Sequence, residues 1–170
     1  WTLTTYSIAF DEIKKDYIRI SMDDYVIKEN LSLNDKVIEN IEAVLIKNMK
    51  NDILAILNFD NWDDLPDIGI EWNPFLLHSI IENYGIKLKI VEQLMKDRRF
   101  ERGIVVYKDL NINSYPELIA FVLKKNGIHK LSEDKMYSFL ILNGLTYKLI
   151  PKELYDSKVI EYRDGIFIIN

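Results

Sequence analysis

The amino-acid sequence predicts an α+β fold that is mostly helical, and three observations lead to this class. Several segments place apolar residues at i, i+3, i+4 and i+7, which is the spacing of an amphipathic helix. Shorter segments alternate apolar with polar residues or consist of a run of β-branched residues, as strands do. Apolar residues make up 48% and charged residues 29% of the 170-residue chain, so we expect a packed core and a solvated surface.

The first third of the chain is expected to change from strand to helix. Residues 1–30 have the features of short strands or an irregular arm, because apolar and polar residues alternate between Ile18 and Met22. Ser32 is a candidate cap for a helix with one apolar face. The helical pattern then continues to Leu57, with a break near Asn51.

The middle of the chain contains the clearest helix start. Asn73 is suited to cap a helix, and Pro74 fits its first turn because no N–H is needed there. Gly85 is placed to end this helix. Residues 86–102 show both the strand and the helix period, whereas residues 104–107, Ile-Val-Val-Tyr, form a candidate buried strand.

Pattern breakers near residues 109–113 predict a boundary between a mixed helical and short-strand domain, 1–110, and a second domain, 111–170. The second domain opens with a capping box formed by Ser114 and Glu117. The signals that follow are a short strand at 128–130, a helix capped by Ser132, a short helix opened by Pro151, and a hairpin turning at Asp164-Gly165.

Three helices, one short strand and a final hairpin in this order resemble a winged helix. In such domains the helix after the turn enters the major groove of DNA and the hairpin contacts the backbone. The resemblance implies contacts by Tyr147, Lys148 and Lys152 on the third helix and by Lys158 and Arg163 on the wing. The alternative, which the acidic neighbours of these residues favour, is that they are ordinary solvated side chains; many winged helices also dock proteins instead.

A second basic group precedes the predicted boundary. Arg98, Arg99 and Arg102 are three of only five arginines in the chain. Arginine pairs well with phosphate or with an acidic protein surface, so this group is a candidate contact, the alternative being a solvated helix end. The net charge of −5 argues against strong DNA binding by the chain alone.

Composition and spacing exclude most catalytic chemistry. There is no cysteine and there are two histidines, so a metal site would depend on carboxylates. The acidic loop at residues 60–67 lacks the ligand spacing of a calcium-binding EF-hand, and no later strand supplies the carboxylate and lysine of a nuclease motif. Ser132-x-x-Lys135 lacks the partner motifs of penicillin-recognising enzymes, and no glycine-rich phosphate loop is present. We expect neither catalysis nor a cofactor.

These features predict a binding or regulatory domain rather than an enzyme. The chain begins at Trp1 and is rich in isoleucine, lysine and asparagine, which suggests a piece of a longer bacterial or phage protein. No apolar run reaches the ~20 residues of a membrane span, so a cytoplasmic location is expected. The partner would be DNA, bound through the winged helix, or a protein. The alternatives are a protein-interaction or homo-oligomerisation module without nucleic acid, and an accessory domain of a nuclease or defence system.

Overall fold

The computed structural model describes residues 16–93 and 103–169. In this part of the chain, five helices and eight strands form an α+β fold with three small antiparallel sheets. The helical share is 41%, so the expectation of a mostly helical chain is wrong, whereas the α+β class is correct.

The helices are α1 (Asp35–Asn48), α2 (Pro74–Tyr84), α3 (Tyr115–Lys125), α4 (Glu133–Leu142) and α5 (Lys152–Tyr155). The strands are β1 (Tyr17–Arg19), β2 (Tyr25–Ile27), β3 (Ile53–Ala55), β4 (Leu88–Val91), β5 (Ile104–Tyr107), β6 (Lys130–Ser132), β7 (Ile160–Arg163) and β8 (Ile166–Ile169). Single-turn 3₁₀ helices cover Lys28–Asn30, Ile56–Asn58 and Trp62–Asp64.

Helix α1 is shorter than the sequence pattern predicts. Its cap is Asn34, whose side chain accepts a hydrogen bond from the backbone of Val37, so the assignment to Ser32 is wrong. Helix α1 ends at Asn48, and the chain turns at Asn51 and Asp52, whose φ angles are 54° and 66°. Asparagine and aspartate tolerate this left-handed backbone, which no helix can continue through. The following apolar residues therefore form strand β3 instead of extending the helix to Leu57.

The central sheet contains β3, β5 and β4 in that order, and each neighbouring pair is antiparallel. Its middle strand β5 is buried on both faces. Ile104 and Val106 belong to the apolar cluster that includes α3, whereas Val105 belongs to the cluster that includes α1 and α2. The central sheet thus lies between two apolar clusters, and the predicted strand at 104–107 is confirmed.

A buried carboxylate joins α1 to the start of β4. Glu42 is 1% exposed, and its Oε1 atom accepts hydrogen bonds from the backbone N–H groups of Ile86, Lys87 and Leu88 at 2.7, 2.9 and 2.9 Å. These donors replace the water that a carboxylate loses on burial. The contact fixes the loop between α2 and β4 against α1.

Local signals in the last third of the chain are mostly confirmed. Ser114 and Glu117 form the capping box of α3, and the hairpin of β7 and β8 turns at Asp164 and Gly165, whose φ angles are 51° and 77°. The side chain of Ser132 makes no capping hydrogen bond, although the residue does precede α4. Strands β6, β8 and β7, in that order, form the C-terminal sheet.

The winged-helix assignment is wrong, since no winged helix is evident in this arrangement. The third helix, α5, is a single turn of four residues. Tyr147 and Lys148, expected on that helix, lie in the irregular connection that precedes it. Gly144, with φ of 65°, ends α4, and Pro151 disfavours helical backbone at the residue before it. A long recognition helix therefore cannot form across residues 143–151. The division into domains 1–110 and 111–170 stays a prediction.

Candidate interaction surface

The connection between α4 and α5 carries the most exposed large apolar side chains of the described residues. Leu142 is 82%, Leu149 60% and Tyr147 52% exposed. Leu142 is the last residue of α4, and the other two follow within seven positions. We call these three side chains, together with the neighbouring Lys148 and Lys152, the connection surface.

The backbone beneath this surface is held by buried hydrogen bonds. The carbonyl oxygen of Leu145 accepts from Tyr115 Oη at 2.6 Å and from Gln93 Nε2 at 2.9 Å. Tyr115 begins α3 and Gln93 follows β4, so two distant parts of the chain converge on one carbonyl group. The N–H of Leu145 donates to the carbonyl of Leu140 at 2.8 Å. Buried, satisfied polar groups of this kind fix one backbone conformation.

Two further contacts define the outward bend of the connection. Gly144 lies against the side chain of Asn58, and a Cβ atom at Gly144 would lie only 2.4 Å from Nδ2 of that residue. Thr146 Oγ1 donates to the carbonyl of Leu149 at 2.7 Å and closes a short loop. Leu145, Thr146 and Ile150 are buried, while the residues between them face outward. Tyr147 and Leu149 are therefore exposed on a fixed backbone.

The structure separates the basic residues that the sequence grouped. Lys148 and Lys152 are exposed and flank Leu149, and Lys152 is the first residue of α5. Lys158 is exposed between α5 and β7. Arg163 ends β7 on the hairpin, where its Nε atom lies 3.6 Å from Asp164 Oδ2. Arg98, Arg99 and Arg102 lie outside the described residues.

A second polar cluster joins α4 to the C-terminal sheet. Glu133 accepts hydrogen bonds from the hydroxyl groups of Tyr162 at 2.6 Å and Tyr155 at 2.8 Å. These bonds, that of Tyr162 first, lower the pKa of the Glu133 carboxyl group. Burial and then the bond to Glu133 raise the pKa of Tyr155 to about 12. The two tyrosine rings meet edge to face at 4.8 Å between centroids, which leaves no space for a ligand between them.

The third cluster surrounds the one buried histidine of the described residues. His78 on α2 is 3% exposed, and its Nε2 atom lies 2.5 Å from Glu92 Oε1 and 4.0 Å from Glu82 Oε2. Gly103 packs directly on the imidazole, because a Cβ atom there would lie 2.5 Å from Nδ1. The contact between His78 and Glu92 places the Glu92 carboxylate on the α2 side of β4.

Sequence reasoning missed several of these residues. Leu142 and Leu149 were overlooked because an apolar residue is assigned to the core by default. Glu92 and Gln93 meet partners 14 and 52 positions away, so no local pattern marks them. In the acidic loop, Asp67 Oδ1 accepts from the backbone N–H of Gly69 at 2.8 Å, a turn-forming contact.

Residues 16–93 and 103–169 contain neither a cluster of metal-ligating side chains nor a membrane-spanning helix. No group of three or more histidine or carboxylate side chains in these ranges could hold a metal ion. Within the same ranges, every helix is too short or too polar to cross a bilayer.

No family model, curated protein or solved structure matches the chain. A functional proposal therefore depends on the geometry of this chain alone.

Proposed function

We propose that this chain is a protein-interaction module that binds its partner through the connection surface. The observation that carries the proposal is the exposure of Leu142, Tyr147 and Leu149 on a backbone fixed from beneath. Exposed apolar groups of this size, clustered along the chain and edged by charged residues, are typical of protein-binding surfaces.

The fixed backbone matters for the energy of binding. Complete burial of a leucine side chain contributes about 1.5–3 kcal/mol, so three large side chains provide a sizeable driving force. Ordering a mobile loop would offset part of that gain. The hydrogen bonds to the Leu145 carbonyl keep the connection in one conformation before binding, and this reduces the entropic loss.

Charge indicates the chemistry of the partner. Lys148 and Lys152 are exposed beside the apolar side chains, so a partner surface with an apolar centre and acidic edges is the complementary one. DNA binding stays a prediction, and the winged-helix fold from which it was predicted is not evident in the structure. The net charge of −5 opposes approach to a polyanion such as DNA.

Site-specific photo-cross-linking tests the proposal. A benzoylphenylalanine at position 149 is expected to form covalent adducts with a partner in extracts of the source cells, or with a second copy of the purified chain. The substitutions Leu142→Ser and Tyr147→Ser should abolish those adducts, because they remove the apolar contact while leaving the buried Leu145 contacts in place.

Position 22 supplies the matched control. Met22 is 46% exposed and lies between β1 and β2, away from the connection in sequence. Adducts that form equally from positions 22 and 149, or that persist in the serine variants, would contradict binding through this surface.

A further inference from the structure

Strand β4 lies at an edge of the central sheet, and its outer side presents backbone groups. In an antiparallel pair, alternate residues bond to the partner strand. Lys108 donates its backbone N–H to the carbonyl of Lys87. Because bonding residues alternate along the strand, the backbone N–H and C=O groups of Lys89 and Val91 also point toward β5. The N–H and C=O groups of Leu88 and Ile90 therefore face away from β5.

The start of this edge is closed by neighbouring groups. The N–H of Leu88 donates to Glu42 Oε1, which confirms that this residue faces outward. The carbonyl oxygen of Leu88 lies against Gly85, where a Cβ atom would be only 2.3 Å from it. Among the described residues, no comparable group contacts the outward-facing N–H and C=O groups of Ile90. The accessible part of the edge therefore begins at Ile90.

A cavity of about 290 Å³ runs along this open part of the edge. Its lining residues come from α2, β4 and the segment after β5: Ile81, Glu82, Lys89, Ile90, Val91, Glu92, Lys108 and Asn113. The cavity borders both faces of β4, since Ile90 packs with the α1–α2 cluster and Val91 with the α3 cluster. Ile90, whose backbone groups face away from β5, is among the residues that line it.

The two flanks of this groove carry opposite charges. Glu82 and Glu92 lie on the α2 flank, where both carboxylates approach His78. Lys89 lies on the opposite flank, and its Nζ atom donates to the carbonyl of Leu110 at 3.2 Å. Successive side chains of a strand point to opposite faces, so a strand added here would place alternate residues against carboxylates and against an ammonium group.

We propose that the edge of β4 binds an extended peptide segment of a partner protein in which basic and acidic residues alternate. The peptide pairs antiparallel with β4 and exchanges backbone hydrogen bonds with Ile90. Its basic side chains face Glu82 and Glu92, and its acidic side chains face Lys89. Backbone pairing supplies the affinity, and the charge alternation supplies the selectivity.

An octapeptide of alternating glutamate and lysine, blocked at both ends, tests this site on the intact chain. We expect it to slow amide hydrogen exchange at Ile90 and to bind about tenfold more tightly than its isomer with all glutamates before all lysines. Residues paired directly across strands share a face, so the lysines of the bound peptide make the backbone bonds to Ile90. Methylation of the backbone nitrogens of the peptide's lysines should abolish binding, because it removes the N–H groups that bond to Ile90. Methylation of the backbone nitrogens of its glutamates should preserve binding.

Charge reversal provides the protein-side control. Lys89→Glu should weaken binding of the alternating peptide about tenfold, because repulsion replaces attraction at a cross-strand position. Lys130→Glu makes the same change on β6, an edge strand of the C-terminal sheet, and should have no effect. Equal binding of the two isomers, or no protection of Ile90, would overturn the proposal. Protection that rises with protein concentration without peptide would assign the edge to a second copy instead.

Discussion

The two three-stranded sheets in the described part of the chain have the same strand order but different surroundings. In each, the middle strand is the last of the three in sequence, as the orders β3-β5-β4 and β6-β8-β7 show. Three consecutive residues of β5, from Ile104 to Val106, are all 0% exposed. In β8, Phe167 is 0% exposed while its neighbour Ile166 is 41% exposed. The central sheet is covered on both faces and the C-terminal sheet on one.

This difference is only partly visible in the sequence. A half-buried strand is expected to alternate apolar with polar residues, and β7 does so from Ile160 to Arg163, but residues 166–169 of β8 are a continuous apolar run like β5. The difference in burial also predicts where the chain is sensitive to substitution. Polar changes in the central sheet should be costly on either face, and those in the C-terminal sheet on only one.

The largest effect is expected from Glu42→Ala, which removes the carboxylate at the edge of the central sheet. The substitution leaves the backbone N–H groups of Ile86, Lys87 and Leu88 without their acceptor. Hydrogen bonds to charged groups contribute about 1.5–3 kcal/mol each, and unsatisfied buried donors add to the loss. We expect the free energy of unfolding to fall by about 3–5 kcal/mol in urea denaturation.

Glu42→Gln is the matched control. The amide keeps one acceptor oxygen and nearly the same volume, so we expect a clearly smaller loss than for alanine. If the two variants were equally stable, or if alanine changed stability by less than about 1 kcal/mol, the carboxylate would not be what holds this edge.

An intermediate effect is expected from threonine in the middle strands. Threonine keeps the β-branched shape of valine but buries a hydroxyl group, which costs about 1–3 kcal/mol without a partner. Val105→Thr and Val106→Thr should each cause such a loss. Each valine faces an apolar cluster, and the two clusters lie on opposite faces of the sheet. Ile166→Thr should stay within about 0.5 kcal/mol of the wild type in thermal or urea unfolding. A neutral result at either valine would show that one face of the central sheet is open.

Local signals allowed the sequence to predict part of this fold. Asn73 and Gly85 bound α2 as expected, and Asp164-Gly165 turns the last hairpin, because caps and tight turns depend on adjacent residues. The turn at Asn51-Asp52 carries a similar signal, but the apolar run of β3 behind it looks like the buried face of a helix. Short apolar runs do not distinguish the two structures.

The candidate sites depend on contacts that no local pattern records. Glu42 bonds to residues 44 to 46 positions away, and Tyr115 reaches Leu145 across 30. The winged-helix prediction failed for a related reason. The order of caps and breakers was largely correct, but it does not determine whether residues 143–151 wind into a helix or form a connection held by Gln93 and Tyr115.

The smallest effect is expected at Glu133, and it should depend on pH. The folded-state pKa of Glu133 is lowered, by the bonds from Tyr162 and Tyr155 in that order. A lowered pKa contributes stability above the ordinary glutamate pKa of 4.5, and this contribution is lost as pH falls through the folded-state pKa. The pKa of Tyr155 is raised from 10.0 to about 12, so its contribution is present below pH 10 and lost as pH rises toward 12. The contact should therefore stabilise the C-terminal sheet between these limits.

Glu133→Gln measures this contribution, with Asp134→Asn as the control. Both changes remove one negative charge from the first turn of α4, so their effects on the helix dipole are alike. Only Glu133→Gln weakens the bonds to the tyrosines, and it should be the less stable variant near neutral pH. The stabilities of the two variants should converge as the solution is made acidic.

In a titration of phenolate absorbance, Glu133→Gln should lower the apparent pKa of Tyr162 most, since the bond from Tyr162 to Glu133 is the leading cause of the raised pKa of Tyr162. Tyr155 should keep part of its raised pKa, because burial is the leading cause there. A stability difference between the variants that is the same in acid and at neutral pH would show that the carboxylate does not anchor the tyrosines.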